Sequence, residues 1–542
     1  MDNTFLIYII FLVVILFLVM LAQRLKVSYP IVLVLGGLIL GFVPGLPIPQ
    51  INPELIFLIF LPPLLYEAAW KTSWKDFWKW RRVIGSFAFG IVILTSWVIA
   101  FVSSSIIPGF TLALGFLLGA IISPPDAVSA TSILKGVKIP KRLVTIIEGE
   151  SLLNDASSLI VYRFALTAVI SGTFVFQEAA AGFFVVIIMG TLTGLGIALI
   201  FYAIHRWLPT TASIDTVLSF IAPYIMYITA EKFHFSGVLS VVSGGLFLSY
   251  RSHTILSHLS RIQGTNVWLT IGFVLNGIIF MLIGLELPAI VEQLGTAALP
   301  KAIKYGLIIS TVLILTRLLC TLGASVFTMI VSKFIKTADS NPGWRDPLII
   351  GWAGMRGVVS LASALSIPLL IHNNMPFPHR NLILFITFVV ILVTLVFQGL
   401  TLPWVIRWVD TKEKDYPVSV KDQDRRVRER LAKSSLDLLN TTYKAEVDKN
   451  ELLQSLKLRL ESDIKFLDNL NHHEQTEKAE KHLVRNYQEI FSELLDEQRK
   501  LLRKINKKAE VDEDVVKKHL TQLDLEEERL RQLFGKVGQP AI

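Results

Sequence analysis

The sequence Glu148-Gly149-Glu150-Ser151-Leu152-Leu153-Asn154-Asp155 places three carboxylates and one amide inside a long apolar stretch. Between Leu143 and Ile170 the only other charged residue is Arg163. An ionised side chain at the centre of a membrane helix costs about 2.5–3.5 kcal/mol on insertion scales, so such residues face a cavity or a partner. The stretch therefore predicts a membrane helix on an ion or proton path. A set of structural salt bridges between helices is the alternative.

The composition of the whole chain is that of a polytopic membrane protein. Of its 542 residues 53% are hydrophobic, and the mean hydropathy is +0.57. Such values are far above those of soluble proteins of this size. The N-terminal run Phe5–Ala22 has no basic segment before it and no small-residue cleavage site, so we interpret it as a retained first membrane helix.

The distribution of charge and the single cysteine exclude several classes of function. Residues 1–410 hold 25 Lys and Arg against 16 Asp and Glu, which leaves 27 of each (52 − 25 and 43 − 16) for residues 411–542. A neutral tail without a basic stripe argues against a nucleic-acid partner. Cys320 alone cannot form an internal disulfide or a cysteine cluster for a metal. Without a glycine-rich phosphate-binding loop, an ATP-driven pump is not predicted. We also expect no enzyme activity and no cofactor.

Apolar runs separated by charged or Pro/Gly-rich loops predict an all-α fold with about thirteen transmembrane helices. The predicted spans lie near residues 4–23, 29–46, 53–70, 82–107, 111–134, 142–171, 180–204, 213–231, 235–250, 266–290, 302–332, 346–371 and 381–408. With the N-terminus outside, the inner loops hold seventeen Lys and Arg residues and the outer loops four (Lys232, Lys301, Lys304 and Arg380). This bias predicts a cytoplasmic C-terminus and a plasma-membrane protein in contact with the lipid bilayer.

Two of the predicted spans contain helix-breaking sequences that also carry a charge. Ser123-Pro124-Pro125-Asp126 interrupts the fifth span, and Gly354-Met355-Arg356-Gly357 interrupts the twelfth. Thirteen spans divide into six, a linker helix and six, so each break falls in the fifth span of its half. Interrupted helices at matching positions indicate a transporter built from inverted repeats, with its binding site where the broken helices cross.

The composition changes abruptly after Asp410. Residues 411–542 are rich in Lys, Glu, Leu, Arg and Gln, and apolar residues recur there in steps of three and four, as at Leu453, Leu456 and Leu460. This spacing predicts amphipathic helices of a small bundle or coiled coil. We therefore divide the chain into a transmembrane domain, 1–410, and a helical cytoplasmic tail, 411–542, whose role is expected to be regulatory and whose ligand the sequence does not identify.

One face of the sixth span carries the groups that suit a small alkali cation. Ser151, Asn154, Asp155 and Ser158 share this face through steps of three, four and seven residues. The face offers a carboxylate, hydroxyls and an amide oxygen, which are hard oxygen ligands. Asp155 is also titratable, so one group can hold either a cation or a proton. Competition at a carboxylate exposed alternately to each side is sufficient for exchange.

Other charged residues in the spans have predicted roles that remain alternatives. Glu67, which follows Pro62-Pro63, is either a second oxygen ligand or an interfacial anchor. Asp126 is expected to offset the positive N-terminal end of the half-helix it begins. Arg356 either does the equivalent near a C-terminal end or pairs with an acid of the cluster, and Glu150 is the predicted partner. Arg163 either reaches the interface or pairs with Glu178.

Four motifs resemble the monovalent cation:proton antiporter-1 family, which includes bacterial and archaeal sodium/proton antiporters and animal sodium/proton exchangers. They occur in the family's order, and the resemblance covers most of residues 1–410. The motifs are Leu61-Pro62-Pro63-Leu64-Leu65-Tyr66-Glu67, Glu150-Ser151-Leu152-Leu153-Asn154-Asp155, Phe233-His234-Phe235-Ser236-Gly237 and Gly354-Met355-Arg356-Gly357-Val358-Val359-Ser360. One departure is that Pro125-Asp126-Ala127 stands where the family usually has Thr-Asp-Pro, so a side-chain hydroxyl is missing while a backbone carbonyl remains.

The resemblance implies a homodimer with a dimerisation subdomain, a moving core subdomain and elevator-like alternating access. It implies that Na⁺ binds Asp155, Ser151 and Glu67 with the backbone carbonyl of Pro125, and that Asn154 orients the site. It also implies a structural pair of Glu150 with Arg356. The Asn-Asp form at 154–155 is associated in the family with electroneutral, one-for-one exchange.

The predicted function is therefore exchange of Na⁺ for H⁺, which compete at Asp155. A K⁺ or other monovalent cation/H⁺ antiporter is the alternative within transport, since oxygen ligands alone do not separate these ions. A cation channel is the alternative from another class, and it requires a continuous polar pore in place of paired broken helices. A membrane sensor acting through its tail would need a kinase or binding motif after residue 411, and the sequence has none.

Overall fold

The computed structural model describes the chain except residues 1–2, 44–52, 135, 173–175, 296, 335–338, 340, 372–374, 412, 414, 416–419, 473–476, 506–512 and 535–542. The chain forms two compact units, Met1–Glu413 and Lys414–Ile542. In the described residues of the first unit, the helices are α1 Asn3–Leu25, α2 Tyr29–Gly41, α3 Pro53–Lys71, α4 Trp74–Gly85, α5 Val92–Ile106, α6 Leu112–Ile122, α7 Ala127–Leu134, α8 Lys141–Ser171, α9 Phe176–Trp207, α10 Ala212–Lys232, α11 Gly237–Ile255, α12 His258–Leu285, α13 Leu287–Leu294, α14 Leu299–Val331, α15 Arg345–Trp352, α16 Val358–Leu365, α17 Arg380–Leu392 and α18 Gly399–Val409.

Each predicted span coincides with one helix or with two consecutive helices. In the described residues, eight helical segments are long and apolar enough to cross a membrane, and Ile9–Leu25 and Tyr29–Gly41 are shorter apolar helices. The chain is thus a helical membrane protein, while the count of thirteen spans stays a prediction. The fourth and tenth spans differ most from their predicted starts, because their helices already begin at Trp74 and His258. The fourth begins with a charged, amphipathic turn that hydropathy does not detect.

The helices of the first unit form two groups, each packed mainly within itself. In one group, α1 to α3 pack with α9 to α12, and α2 and α12 approach closely at two glycines. A Cβ on Gly37 would lie 2.3 Å from the Met281 carbonyl oxygen, so the backbones touch as small residues permit in membrane helices. In the other group, α4 to α8 pack with α14 to α18. Helices α3, α12, α8 and α16 line the boundary between the groups.

Two helices of the second group pass through π-helical segments without ending. Ser86–Ile91 joins α4 to α5, and Val393–Gln398 joins α17 to α18. A π segment shifts the hydrogen-bond register and is frequent at functional sites. The first segment contacts α8, the helix that carries Asp155, because Ser157 donates to the Ala88 carbonyl. The second contacts the break before α16, where the Thr394 hydroxyl accepts from the backbone N–H of Arg356 at 3.1 Å.

The second unit is a set of helices: α19 Val420–Thr441, α20 Lys444–Val447, α21 Glu451–His472, α22 Glu477–Ile505 and α23 Glu513–Phe534. Within it α19 packs with α21, and α22 packs with α23. Arg499 of α22 donates to Glu527 at 2.6 Å and to Asp524 at 2.8 Å, both on α23. These hydrogen bonds raise the pKa of the Arg499 guanidinium above its ordinary value.

Candidate ion-binding site

The two helix breaks meet at the centre of the second group. Helix α6 ends at Ile122 and α7 begins at Ala127, and α15 ends at Trp352 before α16 begins at Val358. The backbone N–H of Asp126 donates to the Met355 carbonyl at 2.7 Å, which joins one break to the other. The sequence placed these breaks correctly, because proline and glycine cannot continue a helix at these positions without loss.

Asp126 caps the half-helix that follows the first break. Its Oδ1 accepts from the Val128 backbone N–H at 2.9 Å, and its Oδ2 accepts from the Ser129 hydroxyl at 2.6 Å. The carboxylate lies where it offsets the positive N-terminal end of α7. Gly357, across the break, is required by this arrangement: a Cβ there would lie 2.3 Å from the Asp126 Oδ2.

Arg356 binds backbone carbonyls at the C-terminal ends of α6 and α15, the half-helices that precede the two breaks. Its side chain is 1% exposed, and it donates to the carbonyl of Ile122 at the end of α6 and to that of Gly354, after α15, at 2.7 Å. Cations are stabilised at the negative C-terminal ends of helices. Of the two predicted roles for Arg356, the geometry supports the one at a helix end.

The predicted pair of Glu150 with Arg356 is wrong. Glu150 is bound by Arg317 of α14, whose Nη1 donates to Oε1 at 2.8 Å and whose Nη2 donates to Oε2 at 2.9 Å. The two side chains are 3% and 1% exposed. A planar guanidinium binds both carboxylate oxygens at once, and Arg317 does this, while Arg356 donates to the backbone carbonyls of Ile122 and Gly354. Sequence reasoning missed Arg317, although an arginine inside the 33-residue helix Leu299–Val331 is itself a signal of a buried partner.

Ser151 and Asn154 bind the helix that carries the cluster to the first break. The Asn154 Nδ2 donates to the Pro125 carbonyl at 3.0 Å, and the Ser151 hydroxyl accepts from the Ala127 backbone N–H at 3.1 Å. Both hydrogen bonds fix α8 against the start of α7. The carbonyl of Pro125 retains a second lone pair, so it can accept from Asn154 and still face an ion.

Asp155 lies at a cavity of about 290 Å³ between the two helix groups. The residue is 8% exposed, and within the described residues its carboxylate has no hydrogen-bond or ion-pair partner. One group contributes Tyr29, Glu67, Gly272 and Asn276 to the cavity wall, and the other contributes Asp126, Thr131, Ser132, Glu148, Ser151, Asp155 and Val358. The cavity thus brings Glu67 and Asp126, which are far apart in sequence, together with Ser151 and Asp155 of α8.

Glu67 reaches this cavity from α3. The residue is 8% exposed and forms an ion pair with Lys71, one turn later, whose side chain is 50% exposed. It packs over Gly272 of α12, where a Cβ would lie 2.0 Å from the Glu67 Oε2. Glu67 is therefore inside the wall of the cavity, as an oxygen ligand requires, while its present partner is a lysine close to solvent.

Other polar residues of the cavity and its surroundings were not anticipated. Tyr29 and Asn276 line the cavity wall, and the Asn276 Oδ1 is buried without a hydrogen-bond partner in the described part of the chain. Arg163 pairs with Glu231 of α10, which also accepts from the Gly237 backbone N–H at 3.1 Å. The side chain of Glu178, the partner predicted for Arg163, lies outside the described residues.

The donor set suits a hard cation. Among the described residues, no group of three or more His, Cys, Asp or Glu side chains could hold a metal ion. The oxygen atoms near the cavity belong to carboxylates, hydroxyls and an amide, which bind hard cations. The carboxylate of Asp126 is held by the Val128 N–H and the Ser129 hydroxyl, whereas that of Asp155 is available to balance one positive charge, whether that charge is a cation or a proton.

A membrane-embedded helical unit with two broken helices and an unpaired buried carboxylate defines a membrane transporter for a small cation. The family model described as "Sodium/hydrogen exchanger, transmembrane" matches residues 9–408. The chain therefore belongs to the sodium/hydrogen exchanger family, and the resemblance given by the four sequence motifs is confirmed.

Individual relatives agree with this assignment. An uncharacterized Na⁺/H⁺ exchanger of Mycobacterium tuberculosis is 32% identical over 425 residues, which cover 78% of this chain and 77% of the relative. A sodium, potassium, lithium and rubidium/H⁺ antiporter of Bacillus subtilis is 34% identical over 381 residues, 68% of this chain and 56% of the relative. The structure of the sodium proton antiporter MjNhaP1 from Methanocaldococcus jannaschii matches 74% of this chain and 97% of its own, with a TM-score of 0.57 and 19% identity, which shows a common fold.

Proposed function

We propose that this protein exchanges Na⁺ for H⁺ across the plasma membrane, with both ions competing for the carboxylate of Asp155. The observation that carries the proposal is the electrostatic isolation of this group. Six acidic residues are buried among the described residues of the first unit. Five have a partner: Glu67 has Lys71, Asp76 has Lys141, Glu150 has Arg317, Asp215 has His205, and Asp346 has Arg142. Asp155 is the exception, and it lies at the cavity.

The physical cost of that isolation provides the coupling. A buried carboxylate without a cation is expensive in a membrane, so the occupied states are the stable ones. Na⁺ and H⁺ each neutralise the same group, and binding one excludes the other. Ser151, Glu67 and the carbonyl of Pro125 are the further ligands we propose for Na⁺, with Asn154 holding the Pro125 carbonyl in place. Glu67 would exchange its contact with Lys71 for the ion.

The position of the cavity supports alternating access. Because the cavity lies at the boundary of two helix groups, movement of the α4–α8 and α14–α18 group against the other would carry Asp155 from one side of the membrane to the other. We propose that this movement is elevator-like, that the static group forms the homodimer contact, and that the N-terminus is outside and the C-terminus cytoplasmic. Thirteen spans satisfy this orientation.

One-for-one exchange follows from the same site. Asn154 is neutral, so Asp155 supplies the net charge of the Asn-Asp pair in both loaded states. A site that carries either one Na⁺ or one H⁺ has the same charge on both journeys, and the complete cycle moves no net charge. We therefore propose electroneutral exchange, with the 414–542 helices as a regulatory unit that transport itself does not need.

K⁺/H⁺ exchange is the second candidate, and a specific observation favours it. The relatives from Bacillus subtilis and Bacillus pumilus, 34% and 32% identical, are named sodium, potassium, lithium and rubidium/H⁺ antiporters. A cation channel is less well supported, because it requires a continuous polar pore, whereas the two interrupted helices of this chain are typical of transporters.

The decisive experiment uses purified protein in proteoliposomes with an imposed pH gradient and a pH-sensitive dye. Added NaCl should dissipate the gradient, and Asp155→Asn should abolish this response. Ser158 was predicted on the same face but does not line the cavity, and its hydroxyl donates to the carbonyl of Asp155. Ser158→Ala is therefore the matched control and should retain exchange. Exchange that persists in Asp155→Asn would refute the assignment.

Two variations of this assay separate the finer proposals. Replacing NaCl by KCl, LiCl and RbCl gives the ion preference. Clamping the membrane potential should leave the rate unchanged if exchange is electroneutral. Protein lacking residues 414–542 should still exchange ions with an altered pH response, and complete loss of transport would mean that the tail is structural.

A further inference from the structure

The cavity at Asp155 has a wall on each of the two helix groups, and one polar residue of these walls has no part in the exchange proposed above. Asn276 lies on α12, lines the cavity and is 6% exposed. Its helix belongs to the group of α1 to α3 and α9 to α12, opposite the helix that carries Asp155. A buried amide at this place needs an explanation.

The amide oxygen of Asn276 is a buried acceptor without a donor. Among the described residues, six buried side-chain oxygen atoms have no hydrogen-bond partner, those of Asn154, Asn276, Ser360, Thr387, Gln398 and Thr411. Of these six residues, Asn276 is the one that lines the cavity at Asp155. A buried acceptor left unsatisfied is costly, and in a native structure it indicates strain, a functional role, or a bound water or ion. The position of Asn276 in the wall of the proposed cation site favours the ion.

The orientation of this amide is fixed through its nitrogen. The Asn276 Nδ2 donates to the Gly272 carbonyl, one turn earlier in α12, at 2.7 Å. This hydrogen bond determines which end of the amide is the oxygen and leaves Oδ1 as the acceptor. An amide oxygen is a ligand for hard cations. It is not a titratable group, so a ligand of this kind contributes to the binding of Na⁺ and not to that of H⁺.

Glu67 lies beside the same turn of α12. A Cβ on Gly272 would collide with the Glu67 carboxylate, so this carboxylate packs directly on the residue whose carbonyl Asn276 binds. Both Glu67 and Asn276 line the cavity. The wall opposite Asp155 thus holds a carboxylate and an amide oxygen close together, and both can replace water molecules in the shell of an entering cation.

We propose that Asn276 and Glu67 form an entry subsite for the cation, in which the Asn276 Oδ1 binds Na⁺ on its way to Asp155. This inference rests on the exchange function proposed above and adds a ligand to it. Because α3 and α12 belong to the helix group that stays in place, the subsite does not travel with the ion. The contact with Asn276 is broken when Asp155 moves, so Asn276 sets how tightly Na⁺ is captured and does not limit the crossing.

The test compares the native protein with Asn276→Leu, which has a similar volume and no polar side-chain atom. In proteoliposomes, the Na⁺ concentration for half-maximal exchange should rise about tenfold, as expected for the loss of one ligand to a charged group. The maximal rate should change less than about twofold, since the crossing itself does not use this contact.

A binding measurement separates this inference from the proposed function. In detergent solution, isothermal titration calorimetry with NaCl should show the same tenfold loss of affinity in Asn276→Leu, on the order of one ligand. The variant should still release one proton for each Na⁺ bound, because Asp155 is intact. Failure of the proposed function would instead be seen in Asp155→Asn, as exchange that persists.

Two further variants test whether the oxygen is responsible. Asn276→Asp loses the amide donor, as Asn276→Leu does, but keeps an oxygen, so it should bind Na⁺ at least as tightly as the native protein. Asn266→Leu is the matched control, because Asn266 is an exposed asparagine of the same helix that does not line the cavity. It should change the half-maximal Na⁺ concentration less than about twofold. If tryptophan fluorescence shows that Asn276→Leu does not fold, Asn276→Ala takes its place in every measurement.

Three results would overturn the subsite. Unchanged Na⁺ affinity in folded Asn276→Leu, whether or not exchange persists, would mean that no ion contacts the amide oxygen. Binding by Asn276→Asp as weak as that of Asn276→Leu would assign the loss to packing or to the lost donor. An equal loss of affinity in Asn266→Leu would show that the effect is not specific to the cavity.

Discussion

Glu150 and Asp155 lie five residues apart on α8, and their surroundings are opposite. Glu150 is bound at both oxygens by Arg317 and is closed off from solvent, with 1% of its side chain exposed. The Asp155 carboxylate has no hydrogen-bond or ion-pair partner in the described residues and borders a cavity of about 290 Å³. The same residue class on one helix is thus structural at one position and available for an ion at the other.

The difference lies in what each acid receives from the helices around it. Helix α14 brings a guanidinium to Glu150, whereas the broken helices bring two neutral groups towards α8, the carbonyl of Pro125 and the N–H of Ala127, which bind Asn154 and Ser151. A buried ion pair is costly to break but weak evidence of function. A buried acid left without a counter-charge needs a ligand, and this makes Asp155 the candidate.

The largest expected effect of this contrast is on stability. Arg317→Gln leaves Glu150 buried without a cation, so we expect a loss of about 3–5 kcal/mol. Asp155→Asn removes an unpaired charge and should leave the unfolding temperature in detergent unchanged or higher. Thermal unfolding monitored by tryptophan fluorescence measures both. Equal destabilisation by the two variants would contradict the distinction between the two acids.

An intermediate effect is expected where the two breaks touch. Gly357→Ala puts a methyl group 2.3 Å from the Asp126 Oδ2, so the breaks must move apart, at a cost of about 1–3 kcal/mol. Because the breaks lie at the ion site, Na⁺/H⁺ exchange in proteoliposomes should also be slower in this variant. Gly196→Ala is the control, because nothing lies within 4 Å of its Cβ position in α9. Unimpaired exchange in Gly357→Ala would show that the contact between the breaks is not needed.

The smallest effect is expected at an ion pair that is only partly buried. Arg163 and Glu231 have 42% and 30% of their side chains exposed. Solvent screens such a pair, and pairs of this kind contribute about 0–1 kcal/mol. Arg163→Gln should therefore shift the same unfolding temperature much less than Arg317→Gln. A shift as large as that of Arg317→Gln would mean that burial does not set the strength of these pairs.

Much of the fold was predictable from local sequence. Hydropathy placed the helices, and the residues that break them, Pro124-Pro125 and Gly354 with Gly357, marked the two interruptions within a few positions. The cluster at 148–155 was identifiable because acids are rare in apolar stretches. These signals are local: each follows from the cost of a particular residue in a membrane helix.

The pairing of charges was not predictable in the same way. Arg317 and Arg356 are both arginines in apolar sequence, and nothing in the spacing says which one faces Glu150. That choice depends on how α14 and the second break pack around α8, which is tertiary information. The π-helical segments and the contact of Glu67 with Gly272 are also products of packing. The start of α4 at Trp74 was missed because charged residues in this amphipathic segment lower its average hydropathy.

The most direct test of the account is to count the protons released when Na⁺ binds to the purified protein. In weakly buffered detergent solution, with a pH indicator, native protein should release one proton for each Na⁺ bound, because both occupy the carboxylate of Asp155. Asp155→Asn should release none. Na⁺ binding to the native protein without proton release, or undiminished release from Asp155→Asn, would contradict the central claim.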